Sequence, residues 1–264
     1  MMSTEKIIKN QAKVSLKGNW TLLIVSIMFA LIIVIAVQQL ASLILVILGA
    51  VELESGDIKE DMQLLSYGVL GILYAIAFFL TPIVNGIIRM FCNISKGKSI
   101  EISDMFYFFK GVKRYFKTIF LNFILTFIYF SISSLFDLYN LISISTGRSI
   151  NDGHSFDFLS TSLILAYLFS IIAKVLVYFI FIHYPLIGYS FYDNISIRKC
   201  IFEPWGFSLN ILGTTINLFL SFAGWILLCF FVVPAIYVLP YIITSFTTSA
   251  KWLLPEEEIK EVLC

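Results

Sequence analysis

Long apolar blocks separated by short polar or charged segments run along the chain, and their length is the first indication of structure. Each block holds about 20 mostly apolar residues, which is what an α-helix needs to cross the apolar core of a bilayer. The blocks are continuous rather than alternating in polarity, so the pattern predicts helices instead of the strands of a membrane barrel. Six such blocks cover residues 20–50, 64–89, 118–136, 158–184, 210–231 and 235–254. We therefore expect an all-α, polytopic transmembrane helical bundle of about six spans, in which residues 1–264 form a single membrane domain.

The last two blocks lie in one long stretch without charge, which contains the segment SFAGWILLCFFVVPAIYVLPYIITSF (221–246). A single helix over 208–254 would be about 70 Å long, whereas a bilayer core is about 30 Å thick. The stretch must therefore fold back on itself. Pro234 removes a backbone donor and clashes with the preceding turn, so we predict the reversal there and a bend of the return helix at Pro240.

The amino-acid composition agrees with a location in the bilayer. Hydrophobic residues make up 59% of the chain and charged residues 13%, whereas an ordinary soluble domain is about one quarter charged. A soluble fold of this length could not cover so much apolar surface, because even a well-packed domain leaves much of its surface in water. Lysines precede the first block as in a secretory signal, but its apolar stretch is about twice as long as a signal core, so we predict a retained first helix.

Lysine and arginine residues predict the orientation, because short cytoplasmic loops of membrane proteins carry an excess of them. They are frequent before the first block, between the second and third, and between the fourth and fifth. The alternate connections differ: residues 51–61 hold five carboxylates against Lys59 alone, and residues 137–157 hold Arg148 and no lysine. With an even number of spans, both termini are expected in the cytoplasm.

Two charged segments beside the blocks have the periodicity of amphipathic helices that lie on a membrane surface. In residues 5–17 the lysines recur every three or four residues, and Ile8, Ala12 and Leu16 mark another face. In residues 105–117 the apolar face contains Met105, Phe108, Phe109, Val112 and Phe116, and the basic face contains Lys110, Lys113, Arg114 and Lys117. Orientation of the neighbouring spans and recognition of lipid headgroups are both open as the role of these basic faces.

Lys174 is the most conspicuous polar residue inside a predicted span. A charge in the bilayer core costs about 3 kcal/mol, so an ionisable residue there is a candidate for function. Its helical neighbours Tyr167, Ser170 and Tyr178 make a polar stripe that we expect to face the bundle or an aqueous cavity. No carboxylate falls inside a predicted span, so Lys174 has no obvious counterion. Transport or gating is one alternative, and a structural role in which the ammonium group reaches the membrane surface is the other.

Small and polar residues inside two of the blocks predict how helices pack. In the fifth block they recur at helical spacing and form a ridge on which another backbone can approach closely, so we predict helix packing there and keep ligand binding as the alternative. The members of this ridge are Gly213, Asn217, Ser221 and Gly224. In the second block, Pro82, Asn85 and Gly86 predict a kinked inner end.

Residue combinations that carry catalysis are absent from the sequence. It contains no zinc-protease helix motif, no phosphate-binding glycine loop and no serine-hydrolase elbow. His154 and His183 are predicted on opposite sides of the membrane, and the four cysteines are widely separated, so we expect no metal, no cofactor and no disulfide framework. The net charge is only +1 and the basic residues flank spans, so nucleic acid is not an expected partner. We predict that the protein is not an enzyme.

Four short motifs carry a family resemblance: SLKGNW (15–20), ISDMFYFFK (102–110), SFAGW (221–225) and LPY (239–241). Together they resemble a bacterial family of integral membrane proteins that is catalogued as domain of unknown function 975. The resemblance implies the bacterial cytoplasmic membrane and about six helices. It brings no catalytic residue with it.

The function that these features favour is association rather than catalysis. We expect a noncatalytic, multi-pass membrane protein that acts by association with lipids or other membrane proteins, in envelope maintenance or in the handling of membrane-active peptides. The expected partners are the lipid bilayer and either another membrane protein or further copies of the chain. The alternative is a small transporter or channel that uses the polar stripe around Lys174.

Overall fold

A computed structural model describes residues 4–51, 58–149, 167–191 without 168 and 176, 196–228 without 207, and 232–253. Within these ranges the regular structure is helical throughout, apart from one isolated antiparallel bridge between Val51 and Ile58. The expected all-α class is therefore confirmed.

The helices follow one another with short connections. The first half contains α1 (Thr4–Leu16), α2 (Trp20–Ile47), a 3-10 turn (Glu60–Met62), α3 (Gln63–Phe79), α4 (Pro82–Ser95), a 3-10 helix (Ile102–Phe109) and α5 (Val112–Ser149). The second half contains α6 (helical residues among 167–178), a π-helical turn (Phe179–His183), α7 (Tyr184–Phe191), α8 (Ile197–Gly206), α9 (Ser208–Leu228) and α10 (Val232–Leu253).

Three helical stretches in the described part of the chain are long and apolar enough to cross a membrane. They are Trp20–Ile47, Glu60–Ser95 and Val112–Asp137. Only 11%, 17% and 22% of the residues in their most apolar windows are buried within the protein, so most of their side chains need an apolar surrounding from outside the chain. The structure is that of a membrane protein. Three of the six predicted spans have this support.

The second of these spans is broken into α3 and α4, as the predicted kink required. Pro82 occupies the first turn of α4, where its missing N–H costs no helical hydrogen bond. The carbonyl groups at the break have partners: the Thr81 hydroxyl donates to the Phe78 oxygen at 2.7 Å, and the Tyr115 hydroxyl donates to the Phe79 oxygen at 3.0 Å. Backbone groups within a membrane must be paired, and these side chains make the break tolerable.

The centre of the fold is α4. Ten of its 14 residues are buried, and it contacts α1, α2, the 102–109 helix, α5, α7 and α10. One side of α4 contributes Ile87 and Phe91 to a cluster with residues of α1, α2, α9 and α10. Another side contributes Ile88 and Cys92 to a cluster with residues of α5 and α7. The 102–109 helix packs on α4 at Gly86, where an added Cβ would lie 1.9 Å from the Met105 carbonyl oxygen.

Two antiparallel helix pairs pack around this centre. In the first pair, α5 runs antiparallel to α6 and α7, so residues late in α5 contact residues early in α6, and residues early in α5 contact α7. The pairs are Asp137 with Lys174, Tyr129 with Tyr178, and Thr118 with Tyr189. In the second, α9 and α10 form the predicted hairpin, with the rings of Phe222 and Tyr241 5.2 Å apart. The return helix already begins at Val232, so Pro234 lies in its first turn, and Pro240 lies inside it.

The segment 105–117 is not one amphipathic helix, so that prediction is wrong. The 102–109 helix ends before Gly111, whose φ of +111° is a left-handed conformation that favours glycine, and α5 begins at the next residue. Met105 and Phe108 are buried beside α4 rather than facing lipid. Periodicity alone did not reveal this break, whose local signal in the sequence is Gly111. The helix α1 does form, and its apolar face of Ile8, Ala12 and Leu16 packs against α4, α9 and α10.

The first turns of α10 lie at the same end of the bundle as the start of α2. The rings of Trp20 and Tyr237 are 6.3 Å apart, although strict alternation of six spans would place them on opposite membrane faces. Another expectation also changes: Asp137 does not begin a loop, because α5 continues to Ser149. Loop charges predict sides of a membrane but contain no information on how helices dock against one another.

Replacing Gly86 by alanine is expected to destabilise the protein by about 3 kcal/mol, because the new methyl group overlaps a backbone carbonyl that cannot rotate away. Gly71→Ala is the matched control, since nothing in the described chain lies within 4 Å of an added Cβ there. Denaturation curves of both variants in the same detergent measure the difference. Equal stability of the two variants would contradict the packing of the 102–109 helix on α4.

The shared location of Trp20 and Tyr237 predicts a chemical cross-link. In a chain whose four native cysteines are replaced by serine, Trp20→Cys with Tyr237→Cys should be joined by a short bifunctional thiol reagent in intact membranes. Trp20→Cys with Leu65→Cys is the control pair, because Leu65 follows the connection at the far end of α2. Strictly alternating spans predict no cross-link between positions 20 and 237, since the two cysteines would be a bilayer apart.

Candidate functional site

A cavity of about 520 Å³ lies between α2 on one side and α3 with the start of α4 on the other. Most of its lining residues are aliphatic, and the polar ones are Gln38, Ser42, Tyr74 and Thr81. Both walls belong to candidate membrane spans, so the cavity lies at the depth of the bilayer. Its size is within the range of small-molecule sites, and its lining suits an apolar chain with a few polar contacts.

The helix break explains why this cavity exists. After Pro82, α4 is buried in the core, whereas α3 before the break buries only Ser66 and Leu73. Small side chains at Ala30, Ala41 and Ala77 line the walls where larger residues would fill the space. The cavity therefore lies where α3 and α4 part from α2.

A buried hydrogen-bonded network joins the break to α5 at one wall of the cavity. The side-chain amide of Asn122 donates to the Thr81 hydroxyl at 2.9 Å and accepts from the Asn85 amide at 3.0 Å. Asn85 and Asn122 are buried, and Thr81 also lines the cavity. A satisfied polar network in apolar surroundings holds helices in one arrangement, because each broken bond leaves a buried polar group unpaired. Asn85 was among the residues predicted from the sequence and Asn122 was not, although an asparagine inside an apolar block is a detectable signal.

A second buried polar contact holds the last hairpin. The Tyr184 hydroxyl shares hydrogen bonds with the Thr215 hydroxyl at 2.7 Å and the Ser249 hydroxyl at 3.3 Å. Tyr184 therefore connects α7 to both α9 and α10. The sequence analysis treated Tyr184 only as the end of a span.

Lys174 forms an ion pair with Asp137, so the expectation that it lacks a counterion is wrong. Asp137 belongs to α5, which continues to Ser149, and its side chain is exposed. Lys174 therefore has a counterion on the neighbouring helix. The error came from ending the third span at residue 136, one position before the carboxylate.

The predicted polar stripe around Lys174 does not present a single face. Tyr167 is exposed and Ser170 is buried. The Tyr178 ring packs edge-on against Tyr129 of α5, with centroids 6.3 Å apart. The structure brings these residues onto one helix without collecting their polar atoms around a cavity.

The side chains of the predicted ridge of α9 are not packed against another helix of the described chain. Gly213, Asn217, Ser221 and Gly224 are all exposed. An added Cβ at either glycine would meet no described atom within 4 Å. The face of α9 that packs inside the protein contains Thr215, Leu218 and Phe222 instead. Larger side chains thus make the packing contacts of α9 that were predicted for the small residues of the ridge.

The four predicted basic residues have different surroundings. The Arg114 guanidinium lies 4.1 Å from the centre of the Tyr107 ring, and the Lys117 ammonium lies 5.8 Å from the centre of the Tyr189 ring. Lys110 and Lys113 are exposed. The basic face is therefore divided between tertiary contacts and a smaller charged surface.

Lys9 of α1 makes a contact that the sequence did not predict. Its ammonium group donates to the Ser221 carbonyl at 2.6 Å and lies 4.0 Å from the centre of the Phe222 ring. The pKa of Lys9 is lowered from its ordinary value, mainly by burial in this contact and to a smaller extent by the nearby charge of Lys13. The contact fixes α1 on α9.

Within the described ranges, no group of three or more histidine, cysteine, aspartate or glutamate residues is placed to hold a metal ion. Cys92 and Cys200 are buried thiols. His154, Cys229 and Cys264 lie outside the described residues.

The fold and these sites define a class of protein, namely an all-helical membrane protein with a cavity between its spans. No family model, no curated protein and no solved structure matches the chain. The resemblance to domain of unknown function 975 therefore stays a prediction.

Replacing Asn122 by leucine should destabilise the protein by about 2 kcal/mol, because the Asn85 amide loses its buried acceptor. Replacing Asn85 and Asn122 together by leucine should cost less than the sum of the two single changes, since neither amide is then left unpaired. Thermal unfolding of the single and double variants in detergent measures this coupling. Strictly additive losses would show that the two amides do not interact.

Proposed function

We propose that the protein is a noncatalytic, multi-pass protein of the bacterial cytoplasmic membrane that acts by associating with lipid. The association consists of holding an apolar chain, from a membrane lipid or a lipid-like amphiphile, in the cavity between α2 and α3. The observation that carries this proposal is the cavity of about 520 Å³ at bilayer depth with a mainly aliphatic lining.

The chemistry of the cavity supports this choice of ligand. An apolar chain gains little by leaving lipid for another apolar surface, so binding depends on shape and on the few polar groups that fix orientation. Gln38 and Ser42 on α2, together with Tyr74 on α3, supply such groups. The network through Asn122 holds the wall that contains Thr81, which keeps the cavity open without a ligand.

The lysine distribution supports a cytoplasmic location for the amino terminus. The proposal extends to about six spans on the sequence pattern only, and it leaves out the predicted cytoplasmic carboxyl terminus, because Tyr237 near the start of α10 lies beside Trp20 at the start of α2. Envelope maintenance and the handling of membrane-active peptides are the cellular roles that lipid association would serve.

The transporter alternative has weaker support. It relied on an unpaired charge within a span, whereas Lys174 pairs with Asp137 of α5. An exposed ion pair of this kind stabilises the contact between α5 and α6 without requiring a transported solute.

Filling the cavity tests the proposal. Ala77→Phe should reduce the amount of lipid that stays with the protein through mild purification, because Ala77 lines the cavity and a phenyl ring would occupy the space. Ala75→Phe is the matched control, since Ala75 is an exposed residue of the same helix and does not line the cavity. Native mass spectrometry of the two variants and the unchanged protein measures the number of bound lipids.

We expect about one lipid fewer per chain in Ala77→Phe and no change in Ala75→Phe. Equal lipid content in the two variants, at equal thermal stability, would contradict occupancy of the cavity by lipid.

A further inference from the structure

A second groove, of about 500 Å³, lies where α1 meets the start of α2 and the last hairpin. We call it the basic-aromatic groove. Its chemistry comes from two lysines and four aromatic residues, contributed by three separate parts of the chain: Lys13, Lys17, Trp20, Trp225, Tyr237 and Tyr241. None of the described residues that line it is acidic.

The groove is located at the edge of the bilayer. Trp20 is the first residue of the first candidate span, so the groove lies where the apolar core ends and the headgroup region begins. Tryptophan and tyrosine concentrate at this level in membrane proteins, because their rings are apolar while their N–H and O–H groups bind water or headgroups. Trp225 is 46% exposed and Tyr237 is 58% exposed, which leaves both rings accessible at this level.

The positive side of the groove is held in place by tertiary contacts. Lys9 fixes α1 on α9 through the Ser221 carbonyl. One turn further along α1, the Lys13 ammonium lies 5.5 Å from the centre of the Tyr241 ring and remains exposed. Lys17 follows at the end of α1 and is also exposed. Two ammonium groups are thus presented on one rigid surface rather than on a free tail.

We propose that the basic-aromatic groove binds the headgroup of an anionic phospholipid. The phosphate would pair with Lys13 and Lys17, and the exposed rings of Trp225 and Tyr237 would contact the glycerol region. Charge complementarity selects this occupant, because the groove carries two positive charges and lies at headgroup depth. The inference deepens the proposed association with lipid by naming the charge of the headgroup and a place for it, and it does not depend on occupancy of the cavity between α2 and α3.

Competition between two lipids that differ only in the headgroup tests this site. The protein is purified from nanodiscs that contain equal amounts of phosphatidylglycerol and phosphatidylcholine with the same acyl chains. Native mass spectrometry then gives the ratio of the two lipids bound. The unchanged protein should retain phosphatidylglycerol in clear excess, and the double variant K13Q/K17Q should lower the ratio roughly tenfold.

The matched control is K110Q/K113Q, which removes two exposed lysines elsewhere and should change the ratio less than about twofold. The double variant K13R/K17R should keep the selectivity, because it keeps both charges. Free glycerol phosphate at the concentration of the lipid should not displace phosphatidylglycerol.

Three outcomes would overturn the proposal. The first is a lack of headgroup selectivity in the unchanged protein, which needs no variant and so does not depend on variant folding. The second is an equal loss in K13Q/K17Q and K110Q/K113Q, which would show a general surface charge effect. The third is displacement by glycerol phosphate, which would show a soluble anion site. Ala77→Phe separates this test from the other proposal, because it should lower total bound lipid without changing headgroup selectivity.

Discussion

The close approach of the 102–109 helix to α4 is the contact on which the core depends. At Gly86 the Met105 carbonyl occupies the space that any side chain would need. This approach brings Met105 and Phe108 into the core and leaves α4 covered on several sides. With α4 buried, the helices around it can leave their outer surfaces to lipid, as the low burial of the three candidate spans shows. The fold therefore has α4 as a buried core, and the helices around it expose apolar side chains to lipid.

Burial of α4 and the cavity beside it have one structural origin, the break between α3 and α4. A broken helix at bilayer depth exposes carbonyl groups that lipid cannot bind. Thr81 and Tyr115 supply the missing donors, and Asn122 connects Thr81 to α5. The same polar groups that make the break tolerable also hold one wall of the cavity. The stability of the break and the shape of the cavity therefore depend on the same residues.

Positive residues have a second role beyond orienting the chain. Several of them lie over aromatic rings of other elements: Lys9, Lys13, Arg89, Lys96, Arg114 and Lys117. Contacts between a cation and an aromatic face strengthen when water is excluded, and long side chains can bury their stems while the charge stays near the surface. These residues thus dock α1, α5 and α7 near the ends of helices. Lys13 also remains exposed, and together with Lys17 it forms the positive side of the basic-aromatic groove.

The sequence by itself determined the helical class, the membrane environment, the break near Pro82 and the fold-back of the last two helices. These follow from local chemistry: apolar length, proline geometry and the cost of unpaired backbone groups. Only the tertiary structure decided which face of α9 packs, that Lys174 meets Asp137, and that Tyr237 lies beside Trp20. The tertiary structure also determined the positions of the cavity and the basic-aromatic groove, because each combines residues from distant parts of the chain. Periodicity in a mostly apolar sequence marks helices well but marks faces poorly, since lipid and protein interior offer a side chain nearly the same environment.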